Sequence, residues 1–140
     1  MLATAPHYSN QSHINDGTSR HLSYRKPLTF YVMGDAPYTA SDRDRFPLQV
    51  KRIHNGGDFI VHVGDMKGVD SGMSDGPYSL VSDALIESKA PCFIVPGDND
   101  YYDCSNPEAG WKRWERYFMQ FHAKHWASTK PWVSNVSLNC

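Results

Sequence analysis

The sequence predicts an α/β fold in which a mostly parallel β-sheet is flanked by helices. Three short apolar segments, TFYVM, DFIVHV and CFIV, alternate with longer segments in which apolar residues recur at helical spacing. This alternation is typical of βαβ units, whose right-handed crossovers make consecutive strands parallel. The three segments are nearly continuous apolar runs, which predicts a sheet that is covered on both faces.

Local signals along the chain indicate where each element begins and ends. Ser41 is the predicted N-cap of the first helix, and Pro47 is a weak point inside it. The segment 66–77 is rich in glycine and serine and is predicted to be a loop. In chain order, the predicted elements are a strand over 29–33, a helix over 41–54, a strand over 58–63, a helix over 78–89, a strand over 92–95 and a helix over 108–127.

The composition indicates one folded domain over residues 27–140, preceded by a flexible leader over residues 1–26 that shows no apolar periodicity. The 14 basic and 15 acidic side chains give a net charge of -1, which offers no electrostatic reason to expect nucleic acid or an anionic membrane as partner. No apolar run approaches the roughly 20 residues that span a bilayer, and the N-terminus lacks the apolar core of a secretion signal. Three cysteines without CxxC spacing predict neither a disulfide framework nor a zinc site, so a reducing, cytoplasmic compartment is the default expectation.

Each predicted strand runs into a Gly-Asp pair, which ends in Asp35, Asp65 or Asp98. Ligands of parallel sheets bind beyond the carboxyl ends of the strands, so these three carboxylates are expected to converge. Converging carboxylates repel each other unless a cation lies between them, and oxygen ligands favour Mg²⁺ or Mn²⁺, or Fe and Zn²⁺ when imidazoles join. The glycine before each aspartate is expected to let the backbone turn sharply near the ion. One Gly-Asp pair alone would be an ordinary turn, but the threefold repetition predicts a metal site.

The order GD, GD, GDND resembles the calcineurin-like metallophosphoesterases, whose pattern is GDxH, then GDxxD, then GNH followed by Asp or Glu. The resemblance covers residues 27–126, and GDAPY with PGDND is similar to a subgroup that has GDxPY and PGDNE-type blocks. It implies one half of a four-layer αββα sandwich and a centre of two metal ions (Mn, Fe, Zn or Mg). In that centre Asp35 would bind the first ion, Asp65 would bridge both, and Asp98 would bind the second. A metal-bridging hydroxide would then hydrolyse a phosphate ester.

The first and third blocks depart from the family pattern. Pro37 stands where the first block of the family has histidine, and the oxygen of the adjacent Tyr38 could ligate iron, hydrogen-bond a phosphate or simply pack. Asn99 stands where the family has a histidine that contacts the phosphate and aids the leaving group. An amide donates a hydrogen bond but no proton at neutral pH. Asn99 and Asp65 are therefore the predicted catalytic residues of a slower or more selective phosphatase, and Asp98 is expected to tighten metal binding while weakening attraction for an anionic substrate.

The later histidine motifs of the family, GH and GHxH, do not occur after Trp126. The domain is therefore expected to be incomplete at its C-terminus, with an open sheet edge that the missing half or a protein partner would cover. Two alternatives to an enzyme follow from the missing histidines. One is a non-catalytic module that binds metal or phosphate, and the other is a fragment without autonomous function.

The sequence also predicts roles for several other polar side chains. His62 is predicted to be a hydrogen-bonded core histidine. His125 is assigned to the flank of an aromatic helix stripe, and His122 to a neighbouring position at a different angle, rather than to a metal. Lys67 either reaches a phosphate as a point charge or lies solvated at the surface. Asp100 is predicted to orient a metal ligand from behind.

Overall fold

Three parallel strands form one sheet in the computed structural model of the chain, which describes residues 27–53, 57–68, 74–130 and 133. The strands are β1 (Phe30–Met33), β2 (Phe59–His62) and β3 (Cys92–Ile94), and they lie in the order β1-β2-β3. Both pairings are parallel. The predicted α/β fold with a parallel sheet and flanking helices is confirmed, and each predicted strand end is correct to within one residue. The predicted leader over residues 1–26 lies outside the described residues.

Five helices occur in the described ranges. In chain order they are α1 (Ala40–Ile53), α2 (Gly76–Ile86), α3 (Asp98–Tyr101), α4 (Pro107–Phe118) and α5 (Phe121–Trp126). The first two agree with the prediction to within three residues, whereas the short helix α3 was not predicted. Within the described ranges, no helix combines the length and the apolar character that are needed to cross a bilayer.

The prediction of one continuous helix over 108–127 is wrong, because the chain leaves the helix between α4 and α5. Met119 adopts φ -58° and ψ 120°, and Gln120 is left-handed with φ 55°. Neither residue is a glycine or proline, so local propensity contains no signal for this break. Phe118, Phe121 and Trp126 remain buried on both sides of it. The apolar periodicity therefore predicted the buried stripe correctly but not the change of direction within it.

The start of α1 is capped by Thr39. The prediction that Ser41 is the N-cap is therefore wrong. The Thr39 hydroxyl accepts the Asp42 N–H at 3.1 Å, and the Asp42 carboxylate accepts the Thr39 N–H at 2.9 Å. These reciprocal bonds form a capping box, and they hold the pKa of Asp42 below its usual value. The helix then continues through Pro47 to Ile53, so the proline does not end it.

The two faces of the sheet are covered by different helices. On one face, the ring of Phe46 from α1 lies edge-on to His62, with ring centroids 5.9 Å apart. On the other face, Phe93 of β3 lies 5.1 Å from the ring of His122 on α5. All three residues of β3 are buried, whereas β1 is half-buried throughout and β2 alternates. The prediction of burial on both faces therefore holds for β3 alone.

The helix stripe of aromatic residues is confirmed as part of the core. Trp114, Phe118 and Phe121 are almost fully buried, and the ring centroids of Phe118 and Phe121 lie 5.6 Å apart. His125 contacts Phe121 at 4.6 Å, and His122 is buried against β3. His125 is therefore an exposed flank of the stripe, as predicted, whereas His122 lies in the core.

Candidate functional site

The loops that follow the three strands meet at the carboxyl edge of the sheet. The N–H of Asp35 donates to the carbonyl oxygen of Gly64 at 3.1 Å, which joins the first loop to the second. The carboxylate of Asp65 accepts the N–H of Asn99 at 3.0 Å, which joins the second loop to the third. All three Gly-Asp segments therefore lie at one edge, where the sequence placed them.

Two of the predicted metal ligands have left-handed backbone conformations. Asp35 has φ 59° and Asp65 has φ 55°, values that L-residues adopt at a cost of about 1–3 kcal/mol each. In the first block the aspartate itself makes the turn that was expected of its glycine. Gly34 is needed for close packing instead, since a Cβ there would lie 2.4 Å from the Val63 side chain. Backbone strain is thus present at the two aspartates that follow β1 and β2.

Asp100 braces the second loop against the third. Its side chain is fully buried and accepts backbone N–H bonds from Asp65 at 2.9 Å, Met66 at 3.0 Å and Gly97 at 2.9 Å. Its carbonyl oxygen accepts the Tyr78 hydroxyl at 2.6 Å. Asp100 therefore orients the main chain of Asp65, which is how the structure realises the predicted supporting role. The one sequence signal for this role is an acid three residues after Gly97, the N3 position of a capping box.

Lys67 is buried beside Asp100, with only 1% of its surface exposed. Of the two alternatives for Lys67, the solvated surface position is therefore wrong, and a side chain so enclosed is not placed to meet a phosphate from solvent. Burial raises the pKa of Asp100, while the three N–H donors and the positive charge of Lys67 act in the opposite direction. The lysine thus partly offsets the cost of burying the carboxylate that organises the site.

Tyr38 connects the first block to the third through its hydroxyl group. The hydroxyl donates to Asp35 Oδ1 at 2.5 Å, and its oxygen accepts from Asn99 Nδ2 at 3.4 Å. Burial and the bond to Asp35 raise the pKa of Tyr38 to about 12, so the phenol keeps its proton at neutral pH. The structure shows the Tyr38 hydroxyl bonded to protein groups, which the sequence had not indicated, and its roles toward iron or phosphate stay predictions.

The carboxylates of Asp65 and Asp98 both lie within hydrogen-bond distance of the backbone N–H of Asn99. Asp98 is exposed at the first position of α3, and the N–H of Asn99 lies 3.0 Å from Asp65 Oδ1 and 3.0 Å from Asp98 Oδ1. Burial and the negative charges of Asp98 and Asp100 raise the pKa of Asp65, against the opposing effect of the Asn99 N–H. A cation between such carboxylates would remove this repulsion.

The described residues supply part of a metal centre and not a complete one. Within the described ranges, no group of three or more His, Cys, Asp and Glu side chains is arranged to hold a metal ion. Asp65 and Asp98 lie together, but the Asp35 carboxylate is bonded to Tyr38. The oxygen chemistry of these donors fits a hard cation, while the imidazole of His62 is buried in the core.

His62 is confirmed as a hydrogen-bonded core histidine. It is fully buried at the end of β2, and its Nδ1 accepts the N–H of Gly64 at 3.1 Å. An imidazole that accepts at Nδ1 carries its one proton on Nε2 and is neutral, and burial lowers the pKa of His62 to about 4. The ring therefore supports the turn before Asp65 only in its uncharged form.

Acidification is expected to weaken the contribution of His62 to stability. Its folded pKa lies below the unfolded value of about 6.5, so the unfolded chain takes up the extra proton. The stability advantage of wild type over His62→Asn, which keeps an acceptor in place of Nδ1, should therefore be constant above about pH 7.5. It should shrink by on the order of 3 kcal/mol as the pH falls to 4. Urea unfolding across this range measures the advantage, and an advantage that does not change with pH would contradict the prediction.

The difference in unfolding free energy between wild type and His62→Asn isolates the effect of the histidine. This matters because other groups titrate in the same pH range. Burial raises the pKa values of Asp65 and Asp100, so these carboxyl groups favour the folded state as the pH falls. Both proteins carry these groups, and their contributions cancel in the comparison.

The comparison with known protein families agrees with the resemblance that the three Gly-Asp blocks carry. The family model described as calcineurin-like phosphoesterase matches residues 18–140, which is most of the chain. No curated protein and no solved structure gives a significant match. The resemblance predicted from the three Gly-Asp blocks is confirmed, and the chain belongs to the calcineurin-like phosphoesterase family.

Proposed function

We propose that the protein is a metal-dependent phosphoesterase whose site lies at the carboxyl edge of the sheet. The observation that carries this proposal is the convergence of Asp65 and Asp98 on the N–H of Asn99, in a chain of this family. The crowded carboxylates would hold divalent cations, and the family gives the substrate class, a phosphate ester. Asp35, Asp65 and Asp98 are the proposed metal ligands.

The finer proposal is a dinuclear centre of Mn, Fe, Zn or Mg, with Asp65 shared between the two ions. Bound metal ions of this kind lower the pKa of water and stabilise negative charge on phosphoryl oxygens. The chain itself contributes the left-handed Asp35 and Asp65, which the hydrogen bonds at the sheet edge hold in place. Asn99 supplies a neutral hydrogen-bond donor beside them.

Substrate binding should depend on prior binding of metal. The site has three candidate ligand carboxylates, and the nearby Lys67 is buried against Asp100. A phosphate dianion that approaches without metal would meet net negative charge and would be repelled. The proposed order is therefore cation first and phosphate ester second.

Replacing Asp65 with asparagine is expected to reduce turnover at least about 100-fold, because the neutral side chain loses the charge that attracts both metal ions. The assay uses purified chain with Mn²⁺ and either p-nitrophenyl phosphate or bis-p-nitrophenyl phosphate. Asp83→Asn is the matched control, since Asp83 is an exposed carboxylate on α2. Equal loss in the two variants, or unchanged turnover in Asp65→Asn, would contradict the proposal.

A non-catalytic module that binds metal or phosphate is the second candidate function. It is favoured by the incomplete set of ligands within the described residues and by the amide at Asn99, which cannot donate a proton. The same preparation separates the two functions. Stabilisation by Mn²⁺ without turnover of either ester supports the module, since a ligand that binds the folded state raises its stability. An absence of both responses supports a fragment without autonomous function.

A further inference from the structure

The main chain of Asn99 is held firmly at the start of α3. Its N–H is shared between Asp65 Oδ1 and Asp98 Oδ1, each at 3.0 Å. Its carbonyl oxygen accepts a weak bond from the Cys104 thiol at 3.5 Å. Rotation of the side chain is therefore the freedom that remains to this residue.

The hydroxyl group of Tyr38 decides which end of the Asn99 amide faces it. A phenol has one proton, and that proton is donated to Asp35 Oδ1. The lone pairs of the Tyr38 oxygen are thus the part available to Asn99. Only the nitrogen of the carboxamide can donate to a lone pair, which agrees with Nδ2 lying 3.4 Å away. The carboxamide is thereby fixed in one of its two orientations.

One side-chain N–H of Asn99 has no acceptor among the residues that the structure describes. A carboxamide nitrogen has two N–H groups, and Tyr38 takes one of them. Asn99 is only half-buried, and its backbone lies within hydrogen-bond distance of the carboxylates of Asp65 and Asp98. We infer that Tyr38 is a positioning residue, which orients Asn99 so that its second N–H donates to a phosphoryl oxygen of the substrate. This inference rests on the proposed function and adds to it a residue that sets affinity for the phosphate group.

Loss of the Tyr38 hydroxyl should weaken phosphate binding through Asn99. In Tyr38→Phe the amide can turn its oxygen toward the phosphate, which would be repulsive. We expect a rise of about 5-fold in the Kd for inorganic phosphate, and of about 10-fold in Asn99→Ala, which loses the donor. The double variant should bind no worse than Asn99→Ala, because both changes remove the same interaction.

The experiment is a double-mutant cycle on the full chain loaded with Mn²⁺. Isothermal titration calorimetry with inorganic phosphate gives the Kd of each variant. Hydrolysis of p-nitrophenyl phosphate gives its KM and kcat. Tyr102→Phe is the control, since Tyr102 is 69% exposed just after α3 and should leave all constants unchanged. The expected result is a rise in KM with a smaller change in kcat, together with strong coupling between positions 38 and 99. Additive effects would overturn the inference.

A second measurement separates the inference from the proposed function. In the metal-free protein, a ¹H–¹⁵N correlation spectrum gives separate resonances for the two side-chain amide protons of Asn99. Tyr38→Phe should shift the proton that is hydrogen-bonded to the phenol, and unchanged resonances would overturn the positioning role. If the resonances shift as expected but wild type neither binds phosphate nor turns over substrate, the proposed function fails, and with it the inferred contact to phosphate.

Discussion

Replacing Asp100 with alanine is expected to lower the free energy of unfolding by about 3–5 kcal/mol. The carboxylate is fully buried and is the acceptor for the N–H groups of Asp65, Met66 and Gly97. Its removal would leave three donors without their acceptor and would take away a negative charge that interacts with the buried Lys67. Buried groups that lose their partners cost far more than exposed groups do.

Urea unfolding with two further variants tests this prediction. Asp103→Ala is the matched control, since Asp103 is an exposed aspartate of the same segment and should change stability by less than about 0.5 kcal/mol. Asp100→Asn should be intermediate, because its one oxygen can still accept while its NH₂ group opposes a donor. A loss in Asp100→Ala no larger than in the control would contradict the bracing role.

Replacing Gly64 with alanine is expected to cost about 4 kcal/mol or more. Gly64 has φ 83°, and a Cβ atom there would lie 2.0 Å from the backbone nitrogen of Gly97 and 2.6 Å from the carbonyl carbon of Pro96. Both of these atoms belong to the main chain of the third loop, so no side-chain rotation can relieve the overlap. The substitution would force the second and third loops apart at the point where Asp65 meets Asn99.

Gly68→Ala provides the control for this prediction, because nothing lies within 4 Å of a Cβ at that position. The control should unfold within about 0.5 kcal/mol of wild type. If Gly64→Ala does not yield enough folded protein for an unfolding curve, the two variants are purified in parallel. Their circular dichroism spectra then compare how much secondary structure each contains. Equal stability of the two alanine variants would show that the loops do not approach as closely as described.

The elements of the fold could be predicted where local signals agree with the tertiary structure. The strands around Val32, Val61 and Phe93 were recognisable from apolar runs, and the alternation with helices implied parallel pairing. The break at Gln120 could not be predicted, since neither it nor Met119 disfavours a helix in the way that glycine or proline does. The direction of α5 is set by its packing on β3 instead.

The candidate site could also be predicted only in part from the sequence. Gly-Asp pairs at three strand ends predicted that Asp35, Asp65 and Asp98 lie at one edge, because the carboxyl ends of parallel strands share that edge. Their metal-binding roles remain predictions. The roles of Lys67 and Tyr38 could not be chosen among alternatives, since a charged or phenolic side chain next to a turn is equally compatible with solvent, substrate or another loop.

By itself, the sequence determined the α/β class, the family and the edge at which the aspartates collect, since these depend on periodicity and on short spacings along the chain. Only the tertiary structure decided that Asp100 holds the backbone of Asp65, that Lys67 is buried beside it and that Tyr38 reaches Asn99. Each of these contacts joins residues from different loops or depends on burial. Local sequence specifies neither, because both arise when the strands are brought together.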